Sequence, residues 1–226
     1  MHAVASPAGR LLTMLLAFGA ALTWTMAQAA EPAAEEEGSS PCGPIALPGH
    51  YGPYDYVTES GKLNIVHPFH FTPKVEALIG GESGYLGGDL SYTLNASPNH
   101  HRALVAAMNY ALRTNSATPP HMMMSVECYF DRATRFRPED TVVRALFGLY
   151  LGRLKRMPEA IRQLEAATHY ADDNGLKQHN IGLAYFDLGL FEPALKQAHL
   201  ARKLGFEGGL LEGKLKAANH WQDPAE

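Results

Sequence analysis

The chain has 226 residues, of which 19 are Lys or Arg and 23 are Asp or Glu, for a formal net charge of −4. That balance lacks the basic surplus that grips a phosphate backbone, so nucleic acid is excluded as a partner class. With 46% hydrophobic residues, a chain of this length can bury a substantial core.

At the start, Arg10 and the amino terminus are weakly positive, residues 11–24 form an uncharged apolar run, and Ala27-Gln28-Ala29 offers small residues for cleavage before Ala30. Residues 1–29 read as a secretory signal peptide. An uncleaved anchor is the alternative, because about 20 uncharged residues can span a bilayer. Without these 29 residues, which hold one basic group and no acidic one, the net charge becomes −5, and no second apolar run is long enough to span a membrane. Residues 30–40 are acidic and poor in large apolar groups, as in a flexible linker. Residues 41–71 combine Gly, Pro, three Tyr (Tyr51, Tyr54, Tyr56) and the apolar piece Leu63-Asn64-Ile65-Val66, which predicts an irregular N-terminal arm packed on whatever follows. Cys42 and Cys128 are the only cysteines. In an exported chain the pair is expected to form a disulfide closing a loop of about 85 residues. The alternative is an exposed Cys42 and a buried, inert Cys128.

Helical signals begin at Thr72-Pro73, a capping hydroxyl followed by a proline at the first helical position. Val75, Leu78 and Ile79 then give an apolar face, ended by a run of glycines from Gly80 to Gly88. That run lacks the Gly-Lys-Ser/Thr ending of a nucleotide loop and reads as a turn. Further helices are predicted over 86–94, 100–112 and from Val126 to before Pro138, the last two separated by an insertion rich in Pro and Met. The pattern continues over 141–153, 157–170, 175–187 and 191–203. A final amphipathic helix over 210–221 reads as a cap for the open end, and 222–226 as a tail. The fold class is all-α.

A period runs through these helices. Phe147-Gly148-x2-Leu151 with Ala160-x3-Leu164 returns as Ile181-Gly182-x2-Tyr185 with Ala194-x3-Ala198, every element 34 residues later. Pro98 and Pro138 stand 40 apart, the same period plus an insertion. Over residues 72–221 the chain resembles the tetratricopeptide-repeat superfamily, most closely in Leu183-Ala184-Tyr185-Phe186-Asp187-Leu188-Gly189-Leu190-Phe191. The second repeat departs from the consensus, with Lys155 in place of a turn glycine. The segments His70-Phe71-Thr72-Pro73, Pro98-Asn99-His100-His101-Arg102 and Val126-Glu127-Cys128-Tyr129-Phe130 also look like exported proteobacterial repeat proteins of unassigned function.

The resemblance implies helical hairpins stacked in a right-handed superhelix, with the first helix of each pair lining a groove. The groove residues it implies are Arg102, Val105, Asn109, Leu112 and Arg113, then Val142, Ala145, Leu149 and Arg153, then Leu176, His179, Leu183, Phe186 and Asp187. Arg102, Arg113 and Arg153, as bidentate donors, suit a carboxylate or backbone carbonyls. Asn109 alone matches the Lys/Asn clamp by which some members hold a peptide's carboxylate end. The expected function is that of a periplasmic or secreted scaffold or adaptor for protein partners, non-catalytic and without a cofactor.

The alternative is a copper-handling protein. His121, Met122, Met123 and Met124 near Cys128 supply imidazole, thioether and thiolate, the soft ligands copper takes. His67-Pro68-Phe69-His70 and His100-His101 invite the same question, but no zinc-site or haem-attachment spacing is present. No Gly-x-Ser-x-Gly elbow occurs either. Glu127, Asp131 and Glu165 are expected on helix surfaces, paired with Arg132, Arg135 or Arg162.

Overall fold

Caps set where the helices begin. In the computed structural model, which describes residues 1–2 and 40–223, a 3₁₀ turn at Ser60–Ile65 precedes α1 (His67–His70), α2 (Pro73–Glu76), α3 (Leu86–Ala96), α4 (His101–Thr114) and α5 (Val126–Phe136). Then follow α6 (Thr141–Arg153), α7 (Met157–Tyr170), α8 (Gly175–Asp187), α9 (Phe191–Lys203) and α10 (Leu210–Ala217). The described residues contain no strand, and the fold is all-α. The signal peptide, nearly all of the linker and the end of the tail lie outside the described residues.

Each long first helix has a side chain accepting its orphan amides. His100 Nδ1 accepts from Ala103 N–H at 3.2 Å, Asp140 Oδ1 from Val142 and Val143 N–H at 3.1 and 3.2 Å, and Asn174 Oδ1 from Lys177 N–H at 3.0 Å. The hairpins α6–α7 and α8–α9 pack along their lengths because a glycine meets an alanine at each crossing. A Cβ on Gly148 would lie 3.1 Å from the Ala160 carbonyl oxygen, and one on Gly182 would lie 3.5 Å from that of Ala194. The corresponding residues of α4 and α5 are Met108 and Val126, both buried, and these bulkier side chains leave the two helices in contact over a shorter stretch. Between the two later hairpins' helices the turn residue is left-handed, with φ +62° at Lys155 and +74° at Gly189. Only glycine takes that conformation freely.

The segment joining α4 to α5 is laid across α3 rather than hanging free. Met123 N–H donates to Ser91 Oγ at 3.1 Å, and a Cβ on Gly87 of α3 would collide with the backbone of residues 120–122. Two expectations are corrected at the ends of the array. The helix from Thr72 is a single turn, because Leu78 takes φ +57° and the chain leaves with Ile79 exposed. The last helix stops at Ala217, so Trp221 reaches its neighbours from beyond a helix end.

Two core clusters meet at α6. One gathers Leu90, Leu94, Leu104, Phe130 and Tyr150 from α3–α6, and the other Leu164, Ile181, Tyr185 and Leu211 from α6–α10. A smaller cluster holds the arm, with Leu63, Val66 and Ala96 under Tyr51, Tyr54, Tyr56 and Tyr92. No helix among the described residues is long and apolar enough to cross a membrane.

One face of α5 is given over to the arm. The sulfurs of Cys42 and Cys128 are 2.08 Å apart in a disulfide. One turn on, Asp131 Oδ2 accepts from Ser40 Oγ at 3.2 Å, and Arg135 donates to the Gly43 carbonyl at 2.9 Å. Between them Arg132, 0% exposed, donates to the carbonyls of Pro44 and Ile45 at 3.1 and 2.7 Å and to Asn95 Oδ1 at 2.6 Å. Positions 128, 131, 132 and 135 follow the spacing of one helical stripe. Arg132 thus corrects its assignment as a surface partner for a carboxylate: burial lowers its pKa, and three oxygens hold the guanidinium in place.

Candidate functional site

The helices α4, α6 and α8 carry corresponding residues 40 and then 34 positions apart, which makes rows: Arg102, Val142 and Leu176; Asn109, Leu149 and Leu183; Arg113, Arg153 and Asp187. A fourth row, Val105, Ala145 and His179, turns inward along the array. Val105 is partly exposed, but Ala145 and His179 are buried. His179 is therefore not a groove residue and faces α9 and the loop after it.

The outer stripes are already engaged. Arg102 forms a two-point ion pair with Glu76, its Nε 2.7 Å from Oε1, and its guanidinium lies over the Phe71 ring at 5.9 Å. Arg113 donates to the Leu78 carbonyl at 2.9 Å. Residues 71–78 thus lie against α4, and both arginines, expected as open donors, commit part of their guanidinium to this segment while their side chains stay exposed. At the other end Asp187 accepts from Lys214 Nζ at 3.0 Å, and the same ammonium stands 5.0 Å from the Phe186 ring, so α10 closes over α8. Arg153, Asn109, Leu149 and Leu183 keep exposed or partly exposed side chains, and Arg153 makes no ion pair among the described residues.

A cleft of about 440 Å³ opens at the N-terminal ends of α4, α6 and α8, where the arm's Asp55, Val57 and Thr58 meet them. Its apolar surface comes from Val57, Val142 (36% exposed) and Leu176 (52% exposed), and its polar edge from His101, Lys177 and Asn180. One wall is a network of side chains bonded to each other. Asn99 Nδ2 donates to Asp55 Oδ1 at 3.3 Å and to Asp140 Oδ2 at 3.0 Å, His101 Nε2 bonds Asp140 Oδ2 at 2.8 Å, and Arg137 pairs with Asp55. Burial alone would raise the Asp55 carboxyl, but bonds from Val57 N–H, Arg137, Asn99 and Thr58 N–H outweigh it and hold the pKa at about 2. Asp140 is likewise pushed up by burial and brought below its ordinary value by His101, Asn99 and Val143 N–H. Both carboxylates are thus fixed anions with internal partners. What remains to meet a ligand is apolar surface bordered by an amide and an ammonium, a lining suited to polypeptide.

Sequence reasoning missed this wall because Asp55, Asn99 and Asp140 lie far apart in the chain. The one legible signal was Asp140 at a helix start.

The remaining histidine and methionine motifs resolve into packing. His67 Nε2 and His100 Nε2 are 3.0 Å apart; since His100 Nδ1 accepts from Ala103, its Nε2–H is the donor. Burial, with His67 next in effect, lowers the His100 pKa to about 3, and burial followed by Arg102 lowers that of His67. His70 bonds Asp89 at 2.9 Å and stacks on Tyr92 with ring centroids 3.8 Å apart. The copper alternative loses its geometry. His121 stacks on Tyr85, Met122 is buried, Met123 Sδ accepts from Asn95 at 3.4 Å, and Met124 Sδ lies 3.8 Å from the Arg132 guanidinium. Met123 and Met124 both turn to the Asn95–Arg132 pair, where a cation already sits, while Cys128 is spent in the disulfide and offers no thiolate. Comparison of the chain with known protein families, with curated proteins and with solved structures finds no match to any of them.

Proposed function

We propose that the chain is an exported tetratricopeptide-repeat scaffold or adaptor that binds a protein partner non-catalytically along the stripes of α6 and α8. The observation that carries this reading is the cleft at their N-terminal ends, where Val142 and Leu176, 34 residues apart, leave apolar side chains exposed in register. Supporting the repeat assignment are the matched crossings of Gly148 on Ala160 and Gly182 on Ala194. The disulfide accords with an oxidising compartment, which together with the signal-like start supports the periplasmic or secreted placement. Arg153 and Lys177 then supply cationic contacts on either side of an apolar strip formed by Leu149, Leu183 and Leu176, and Asn109 and Asn180 are free to bond a partner's backbone.

Leu176→Asp and Val142→Asp put a charge on this strip without disturbing the core. Each is expected to reduce recovery of the partner from native envelope at least about tenfold, roughly 1.4 kcal/mol, with melting temperatures unchanged within about 2 °C. Undiminished recovery with both variants would place the partner elsewhere.

A further inference from the structure

We propose that the cavity between α8, α9 and α10 binds a small organic carboxylate with a flat apolar body. This site is separate from the cleft and does not rest on it. The cavity measures about 370 Å³ and is lined by His179, Phe206, Leu211 and Trp221 together with the charged Arg202, Glu207 and Glu212. That volume is at the small end of the range for ligand sites.

His179 is the informative residue. It is 6% exposed, its ring lies 4.6 Å from that of Phe206, and it makes no hydrogen bond among the described residues. Its ring nitrogens keep some contact with solvent, so what a ligand displaces there is water. Those nitrogens border a cavity, and a ligand that enters can bond them directly.

The other unspent donor selects the ligand's charge. Arg202 NH1 stands 3.7 Å from Glu212 Oε2, beyond hydrogen-bonding distance, while Glu212 is bonded at 2.6 Å to Lys216. The guanidinium is thus ion-paired with Glu212 but not hydrogen-bonded to it, and its fork can still take a carboxylate, its best geometric match. Phe206 and Trp221 provide faces for an aromatic or other planar body. A carboxylate on Arg202, bonded by the His179 N–H, with its ring against Phe206 and Trp221, uses the cavity's donors and its apolar faces and leaves the Glu207 carboxylate to solvent.

The test is calorimetric titration of the full chain with phenylacetate, with phenylacetamide, and with the peptide acetyl-Gly-Gly-Phe as free acid, alongside the ring-proton NMR signals of His179. The acids are expected to bind and to shift the His179 signals, the amide to bind at least about tenfold more weakly, and Arg202→Met to weaken the acids by about as much. Tighter binding of the peptide would assign the site to chain ends, and tighter binding of phenylacetate to free acids; both sustain it. Absence of heat and of any His179 shift at about 10 mM, a millimolar limit for even weak sites, would overturn the proposal. So would equal binding of the amide, or binding indifferent to Arg202→Met. Because Arg202 is exposed and the NMR readout uses the unaltered chain, a misfolded variant cannot decide the outcome.

Discussion

Reduction of the Cys42–Cys128 bridge, or Cys128→Ser, is expected to lower the melting temperature by about 10 °C or more. Closing a loop between residues 86 apart restricts the unfolded chain by roughly 4–5 kcal/mol in the entropic account. In a domain of this size each kcal/mol shifts the midpoint by roughly 2–4 °C. The arm then stays on α5 through Arg132 alone among the buried groups, so Arg132→Met should add a further loss of about 3 kcal/mol by leaving the Pro44, Ile45 and Asn95 oxygens without their donor. Thermal melting followed by circular dichroism, with and without reductant, is the measurement. A shift below about 2 °C on reduction would mean that the arm is not part of the cooperative unit.

Acid should loosen the seam between the arm and α4 well above the carboxylate range. Burial, with His67 next in effect, holds the His100 imidazole at about 3 in the folded chain, well below the ordinary 6.5 of the free side chain. The unfolded chain therefore takes up a proton near 6.5 that the folded chain refuses. Stability is full above about pH 6.5 and falls as pH drops from there toward 3, by up to roughly 1.4 kcal/mol per pH unit for this one group. His67, lowered in the same direction, adds to the slope, and the groups facing the pair include Arg102 and His101, none of them an anion. Asp55 and Asp140 act in a lower window, because carboxyls depressed below their ordinary values withdraw stability only as pH falls below about 4. His100→Asn keeps an N-cap acceptor for Ala103 and removes the titration. The variant should show a flatter decline between pH 6.5 and 4.5, measured by denaturant midpoints at each pH. Parallel curves for variant and parent would show that the buried imidazole is not the sensor.

How far the sequence could be read depended on the range of the interactions. Helices α6–α9 fall where the 34-residue pattern places them, because their crossings depend on local residues, Gly148 on Ala160 and Gly182 on Ala194. The disulfide could be anticipated from cysteine number and compartment. The internal partners of Arg102 and Arg113 were not legible because the register of a helix says which way a side chain points but not what lies there; Glu76 and the Leu78 carbonyl come from a segment whose own helix collapses to one turn at Leu78. Arg132 was invisible for the same reason. Its partners are carbonyls of an irregular arm almost ninety residues earlier, and no periodicity marks them. His179 occupies the register position of Ala145, and a pattern that treats the row as groove cannot reveal that both turn toward the next helix.

The claim that the strip on α6 and α8 is the working surface is tested most directly by site-specific photo-crosslinking in native envelope. A benzophenone amino acid is placed at position 176, in the cleft, and in a separate protein at position 162, on the exposed face of α7. The account predicts a discrete, heavier polypeptide adduct from position 176 and none from position 162. An adduct from 162 with none from 176, equal labelling at both, or none at either would contradict it.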